Sequence, residues 1–143
     1  MSRINLAVVR ERAREIREST QKVQAYAAQP DDAFFADERN LLAVMHLLLI
    51  SIEAAAALCT HLAAKTAERA PDSYADCFDW LRTERKVDDE LARRLIQMAR
   101  FRNLLVHRYW DVDPNKVLRY ARQNLDDFDA YLRAISDIIG QPV

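Results

Sequence analysis

The scarcity of glycine is the feature of this sequence that most restricts its fold. The chain has 143 residues but contains a single glycine, Gly140, and four prolines. Tight hairpins between β-strands depend on residues that accept a positive φ, and glycine is the main one. Half of the residues are hydrophobic, and alanine, leucine, arginine and acidic residues dominate, which favours helices. The sequence therefore predicts an all-α protein.

The few capping and helix-breaking signals divide the chain into five predicted helices. These cover residues 3–28, 32–69, 73–81, a stretch that follows Asp88, and 114–139. Ser73, Asp88 and Asp113 are good N-caps, Pro114 suits the first helical position, and Gly140 suits a helix end. We expect one domain over residues 1–143, built as an up-and-down bundle of four to five helices.

The second predicted helix is the most hydrophobic part of the chain. Its run from Leu41 to Leu62 is long enough to suggest a membrane span, but His46, Glu53 and His61 interrupt it. A helix buried inside a bundle is the better interpretation. The N-terminus becomes charged too early for a signal peptide. We therefore expect a cytoplasmic protein with no membrane association.

Several kinds of site are excluded by what the sequence lacks. No glycine-rich phosphate loop is present, and the three histidines are too scattered for a local metal site. Cys59 and Cys77 form no Cys-x-x-Cys pair, so we interpret them as two small hydrophobic side chains in a reducing compartment. Neither a metal site nor a cofactor is expected.

Charge is unevenly distributed along the chain. The formal net charge is −1, but residues 82–108 carry eight basic and four acidic side chains. Such a local excess can hold a phosphate backbone. A solvated helix face with many ion pairs is an equally good interpretation of the charge alone.

Arg102 occupies an unusual position in the fourth predicted helix. On a helical wheel of about 100° per residue, it lies in the middle of an apolar stripe. The stripe consists of Leu91, Leu95, Met98, Leu105 and Tyr109. A guanidinium stays charged, so on a buried face it needs an anion or several acceptors. The structural alternative is an arginine at the edge of the core that pairs with Glu53.

The groups that follow Arg102 suit phosphodiester chemistry. An imidazole such as that of His107 can take up and return protons, while a fixed guanidinium can neutralise charge on a phosphate. On an ideal helix Arg102 and His107 are about 140° apart. Either the helix ends before His107, or two copies of the chain pool these residues. Structurally, His107 could instead cap a helix, and Tyr109 and Trp110 could be packing anchors.

The segment Arg102–Tyr109, Arg-Asn-Leu-Leu-Val-His-Arg-Tyr, resembles the Arg-x4-His-x-Tyr motif of HepT toxins in the HEPN superfamily. Similar stretches occur at Ser51–Ala54, Pro71–Tyr74 and Asp111–Asp113, and the resemblance covers residues 30–135. It implies a homodimeric ribonuclease toxin whose two motifs meet in a cleft and cleave RNA without a metal.

The resemblance also implies roles for individual residues. Arg102 and His107 would form the catalytic pair, supported by Asn103. A nucleotidyltransferase antitoxin of the MntA type would transfer AMP from ATP onto Tyr109, adding negative charge and bulk beside the site. Arg108 departs from the small residue expected at its position, where it either contacts RNA or points to solvent.

Two other functions compete with the ribonuclease. The chain could be a non-catalytic helical subunit that serves as partner or substrate of a nucleotidyltransferase. It could also be a purely structural helical protein, in which Arg102 would only stabilise the fold. The presence of both Arg102 and His107 favours the enzyme, because a scaffold has no need of that pair.

Overall fold

The computed structural model describes residues 4–143, and all regular elements within that range are helices. The α-helices are α1 (Leu6–Ala27), α2 (Asp31–Ala36), α3 (Glu38–Ala67), α4 (Tyr74–Thr83), α5 (Asp89–His107), α6 (Pro114–Gln123) and α7 (Asp126–Ile139). A short 3₁₀ turn, Tyr109–Asp111, separates α5 from α6. The predicted all-α class is confirmed.

The helix ends predicted at Ser73, Asp88, Asp113 and Gly140 are confirmed. Ser73, Asp88 and Asp113 each accept a hydrogen bond from a backbone N–H in the first turn of the helix that follows. Gly140 ends α7 in the left-handed conformation, with φ of 84°. The first helix begins at Leu6, and the predicted start at residue 3 lies outside the described residues.

Two predicted helices are each broken in two, which the sequence did not indicate. The helix predicted at 32–69 is interrupted at Asp37, which is extended and whose carboxylate accepts from the N–H of Arg39 at 3.0 Å. The helix predicted at 114–139 is interrupted at Asn124. The break at Asp37 uses a side chain that competes with helical backbone hydrogen bonds, and Asn124 is a residue type with low helix propensity.

Helix α3 is the centre of the bundle. It packs along α1 for much of its length and also contacts α2, α4, α5 and α6. Val44, Leu48 and Ile52 on this helix are completely buried. By length and composition α3 could cross a membrane, a test that the core helix of a bundle also passes.

The two cysteines contradict their sequence interpretation. Cys59 on α3 and Cys77 on α4 form a disulfide, with their Cα atoms 6.2 Å apart. They are separated by 18 positions, and only the crossing of the two helices brings them together. The prediction of two unpaired thiols is therefore wrong.

Candidate functional site

Arg102 is held at the contact between α5 and α3. Its Nε donates to Oε1 of Glu53 at 2.8 Å, and its Nη1 donates to Oδ1 of Asn103 at 3.2 Å. The side chain of Arg102 is 23% exposed and that of Glu53 37%. The ion pair considered as a structural alternative is thus present. It orients the guanidinium without sealing it from solvent.

Tyr74, the first residue of α4, completes this cluster. Its hydroxyl donates to Oε2 of Glu53, and the Arg102 Cζ lies 4.8 Å from the centre of its ring. Burial, together with the hydrogen bond to Glu53 and the charge of that carboxylate, raises the pKa of Tyr74. The phenol therefore remains a donor at neutral pH, and Glu53 receives a hydrogen bond on each oxygen.

Three helices supply this arrangement, which we call the Arg102 cluster: Arg102, Asn103, Glu53 and Tyr74. The Cys59–Cys77 disulfide joins α3 to α4 close to it in sequence, six residues after Glu53 and three after Tyr74. The cluster therefore lies where covalent and ionic contacts both fix the helices. Sequence reasoning gave Tyr74 no role, because a contact across 21 positions leaves no local signal.

His107 is the last residue of α5 and is exposed. The alternative in which the helix ends before His107 is therefore wrong. Arg108 leaves the helix, while its N–H still donates to the carbonyl of Leu104 at 2.9 Å. The imidazole makes no hydrogen bond to any residue from 4 to 143. Neither of its two ring nitrogens is therefore committed to a partner within that range.

Tyr109 and Trp110 leave the helical stripe and project from the 3₁₀ turn. Their side chains are 61% and 68% exposed, and their rings meet edge to face at 5.3 Å. Two interpretations are thereby corrected: Tyr109 does not belong to the apolar stripe, and neither ring is a packing anchor. Arg108 forms an ion pair with Asp111 at 2.6 Å.

Ion pairs neutralise much of the basic excess at residues 82–108. Five of its eight basic side chains pair with carboxylates. The pairs are Arg82 with Asp79, Arg93 and Arg94 with Glu90, Arg102 with Glu53, and Arg108 with Asp111. Within the described part of the chain, Arg85, Lys86 and Arg100 form no ion pair. The interpretation as a solvated, ion-paired face therefore accounts for most of this region.

An open groove of about 730 Å³ lies beside the Arg102 cluster, between α1 and α3. It is bordered by Glu53 and Tyr74 but not by Arg102 or His107. Five residues of ideal helix separate Arg102 from His107 by about 7.5 Å along the axis and by about 140° around it. One copy of the chain therefore does not bring the two motif residues into a common pocket.

Comparison with known protein families gives a match over most of the chain. The profile of the Ribonuclease HepT-like family matches residues 16–135. The chain belongs to this family. The resemblance to the HepT family is thereby confirmed.

Relatives of this HepT-like chain include a nuclease and a toxin. The tRNA nuclease HepT of Aphanizomenon flos-aquae is 28% identical over 109 residues, which cover 76% of this chain and 74% of that protein. A tri-AMPylated Shewanella oneidensis HEPN toxin, solved in complex with MNT antitoxin, superposes with a TM-score of 0.84. It is 21% identical, over 91% of this chain and 97% of that one.

A third similar structure is the cytosolic protein of unknown function YutE from Bacillus subtilis. The two structures superpose with a TM-score of 0.78 at 20% identity. The superposition covers all of this HepT-like chain and 98% of the YutE chain. At such identities the two superpositions establish a shared fold, and the bundle is that of the HEPN toxins.

Proposed function

We propose that this chain is a metal-independent endoribonuclease toxin in which Arg102 and His107 are the catalytic pair. The observation that carries the proposal is the Arg102 cluster. A guanidinium is fixed by Glu53 and Tyr74 and retains 23% exposure. Five residues later comes an imidazole that has no hydrogen-bond partner among residues 4–143. The similarity to a protein called tRNA nuclease HepT supports RNA as the substrate.

The chemistry available to these groups is transesterification at a ribose. The imidazole of His107 takes the proton of a 2′-hydroxyl, and that oxygen attacks the adjacent phosphorus. The bond from phosphorus to the 5′ oxygen breaks, and an imidazolium supplies the proton for that oxygen. The products are a 2′,3′-cyclic phosphate and a 5′-hydroxyl.

Arg102 stabilises the charge that develops on the phosphoryl oxygens during this step. Its Nε is committed to Glu53 and its Nη1 to Asn103, whereas Nη2 makes no hydrogen bond within residues 4–143. A guanidinium with free donors and a fixed orientation binds a phosphate without reorganising. Asn103 supports catalysis by holding the guanidinium from its second side.

We further propose that two copies of the chain form the complete site. The reaction needs one imidazole as base and an imidazolium as acid, and each copy supplies one His107. A two-fold pairing about the motif gathers both histidines and both arginines into one cleft. The angle of about 140° between Arg102 and His107 on one helix is then no obstacle.

The same surface is proposed to receive the antitoxin. Tyr109 has the most exposed large aromatic ring after Trp110 among the described residues, and it lies two positions after His107. We propose that a nucleotidyltransferase of the MntA type transfers AMP to its phenol oxygen. The similar Shewanella toxin, which was solved tri-AMPylated and in complex with MNT antitoxin, supports this regulation.

The proposed reaction is tested by incubating the purified chain with RNA in excess EDTA. We expect cleavage to continue, with 2′,3′-cyclic phosphate and 5′-hydroxyl ends, because no step uses a metal-bound hydroxide. The matched control is the same oligonucleotide made with deoxyribose, which lacks the attacking hydroxyl and should stay intact. If EDTA stops cleavage, metal independence is wrong. If RNA remains intact with and without EDTA, the chain is instead a non-catalytic partner of a nucleotidyltransferase.

Removing the hydroxyl of Tyr74 tests the support of Arg102. In Tyr74→Phe the ring remains beneath the guanidinium, but Glu53 loses a hydrogen bond at a partly exposed position. We expect the free energy of unfolding to fall by less than about 1 kcal/mol and kcat for RNA cleavage to fall by up to about tenfold. The control is Tyr26→Phe, because Tyr26 is a half-buried tyrosine on α1. An unchanged kcat in Tyr74→Phe would show that Glu53 positions Arg102 without the hydrogen bond from the Tyr74 hydroxyl.

A further inference from the structure

Trp110 is the most exposed large hydrophobic side chain among residues 4–143. The second tryptophan, Trp80, is 95% buried, which is the ordinary situation for so large an apolar ring. The indole of Trp110 makes no hydrogen bond to the described residues, and the core does not use it. An aromatic ring presented to solvent three residues after His107 therefore requires a function outside the fold.

The backbone that presents Trp110 is braced on both sides. Arg108 and Asp111 flank the aromatic pair and are joined by their ion pair at 2.6 Å and by a hydrogen bond from the Asp111 N–H to the Arg108 carbonyl at 2.9 Å. The ring of Tyr109 meets that of Trp110 at an interplanar angle of 82°. The indole is thus a preorganised surface, and little conformational entropy is lost when a ligand covers it.

The surroundings of Trp110 favour a small planar ligand. Residues 107–116 are exposed apart from half-buried Val112, and most of them are polar or charged. Protein interfaces bury an apolar core that is larger than one ring, and the polar neighbours of Trp110 do not extend the indole and the Tyr109 ring into such a core. A nucleobase needs only one aromatic face, and stacking on tryptophan is a common way for proteins to bind unpaired bases.

We infer that Trp110 is a base-stacking residue, which binds an unpaired nucleobase next to the phosphodiester that Arg102 and His107 cleave. This inference rests on the proposed ribonuclease function and narrows its substrate to RNA that is single-stranded at the site. In an A-form duplex both faces of every internal base are already stacked, so only an unpaired base can cover the indole. Purines, with the larger ring, should bind more tightly than pyrimidines.

The test measures RNA binding in the His107→Ala background, where the proposed cleavage does not consume the probe. A short oligoribonucleotide of mixed sequence is titrated into the full chain, and the same oligonucleotide annealed to its complement is titrated separately. Affinity is followed by the anisotropy of a dye on the oligonucleotide, which does not depend on the indole, and we expect the single strand alone to bind. Trp110→Ala should weaken single-strand binding by about 5- to 150-fold, and Trp110→Phe should retain most of it. Leu42→Ala, which removes another exposed hydrophobic side chain, is the matched control.

A second experiment removes a base from the RNA instead of the indole ring from the protein. It distinguishes base stacking from a structural role of Trp110. When an abasic position is moved along the oligonucleotide, one position should lower the affinity of the Trp110 protein and leave that of Trp110→Ala unchanged. If Trp110→Ala binds and, with His107 restored, cleaves RNA like the wild type, base stacking is wrong while the ribonuclease stands. If the chain neither binds nor cleaves RNA, both proposals fail. If Trp110→Ala loses only affinity for the nucleotidyltransferase, the ring is a protein contact and base stacking is wrong.

Discussion

Replacing His107 with alanine is expected to slow RNA cleavage by about 10²- to 10⁴-fold, because the reaction loses its acid and base together. The fold should survive. His107 is exposed at the end of α5 and has no hydrogen-bond partner within residues 4–143. The loss of a favourable helix-dipole contact costs less than about 1 kcal/mol. The measurement is the single-turnover cleavage rate, with thermal unfolding recorded on the same sample.

The matched control for His107 is His46→Ala. His46 is also an exposed histidine, it lies on α3 outside the motif, and it has no hydrogen-bond partner in the described range. We expect wild-type cleavage from this variant. Expression without an antitoxin provides a second readout, since the wild type and His46→Ala should arrest growth and His107→Ala should not. A folded His107→Ala protein that cleaves within tenfold of the wild type would remove His107 from the mechanism.

The parts of the fold that the sequence predicted are those set by local chemistry. The caps at Ser73, Asp88 and Asp113 act through hydrogen bonds within one helical turn, so residue type and order are sufficient to find them. The breaks at Asp37 and Asn124 were missed for a related reason. Apolar residues continue on both sides of each break, and periodicity alone does not reveal where one helix ends and the next begins.

In the candidate site, too, the sequence indicated some contacts and not others. The contact between Arg102 and Glu53 could be considered from sequence, because a cation in an apolar stripe needs an anion and few carboxylates lie in apolar surroundings. The contact of Tyr74 with Glu53 and the Cys59–Cys77 disulfide could not be predicted from sequence, because both depend on the crossing of α3 and α4. The exposure of Tyr109 was missed because it depends on the exact residue at which α5 ends.

Tyr109→Phe should separate the proposed toxicity from its neutralisation. The phenol oxygen of Tyr109 is the proposed nucleophile, which attacks the α-phosphorus of ATP, loses its proton and releases pyrophosphate. Phenylalanine lacks that oxygen but preserves the ring that contacts Trp110. With a nucleotidyltransferase of the MntA type and ATP, we expect the wild type to gain AMP and lose cleavage. Tyr109→Phe should gain no AMP and remain fully active, as measured by intact mass and cleavage rate.

Burial excludes two of the other four tyrosines as alternatives to Tyr109. Tyr120 and Tyr131 have buried hydroxyls, and that of Tyr131 donates to the carbonyl of Ala55 at 2.7 Å, so neither can reach a second protein. Tyr26→Phe is the control, and its AMP content and activity should match the wild type. AMP on the Tyr109→Phe chain would place the modification elsewhere. If Tyr109→Phe is unmodified but still neutralised, the antitoxin acts by covering the cleft, and the negative charge of AMP beside His107 is not what excludes RNA.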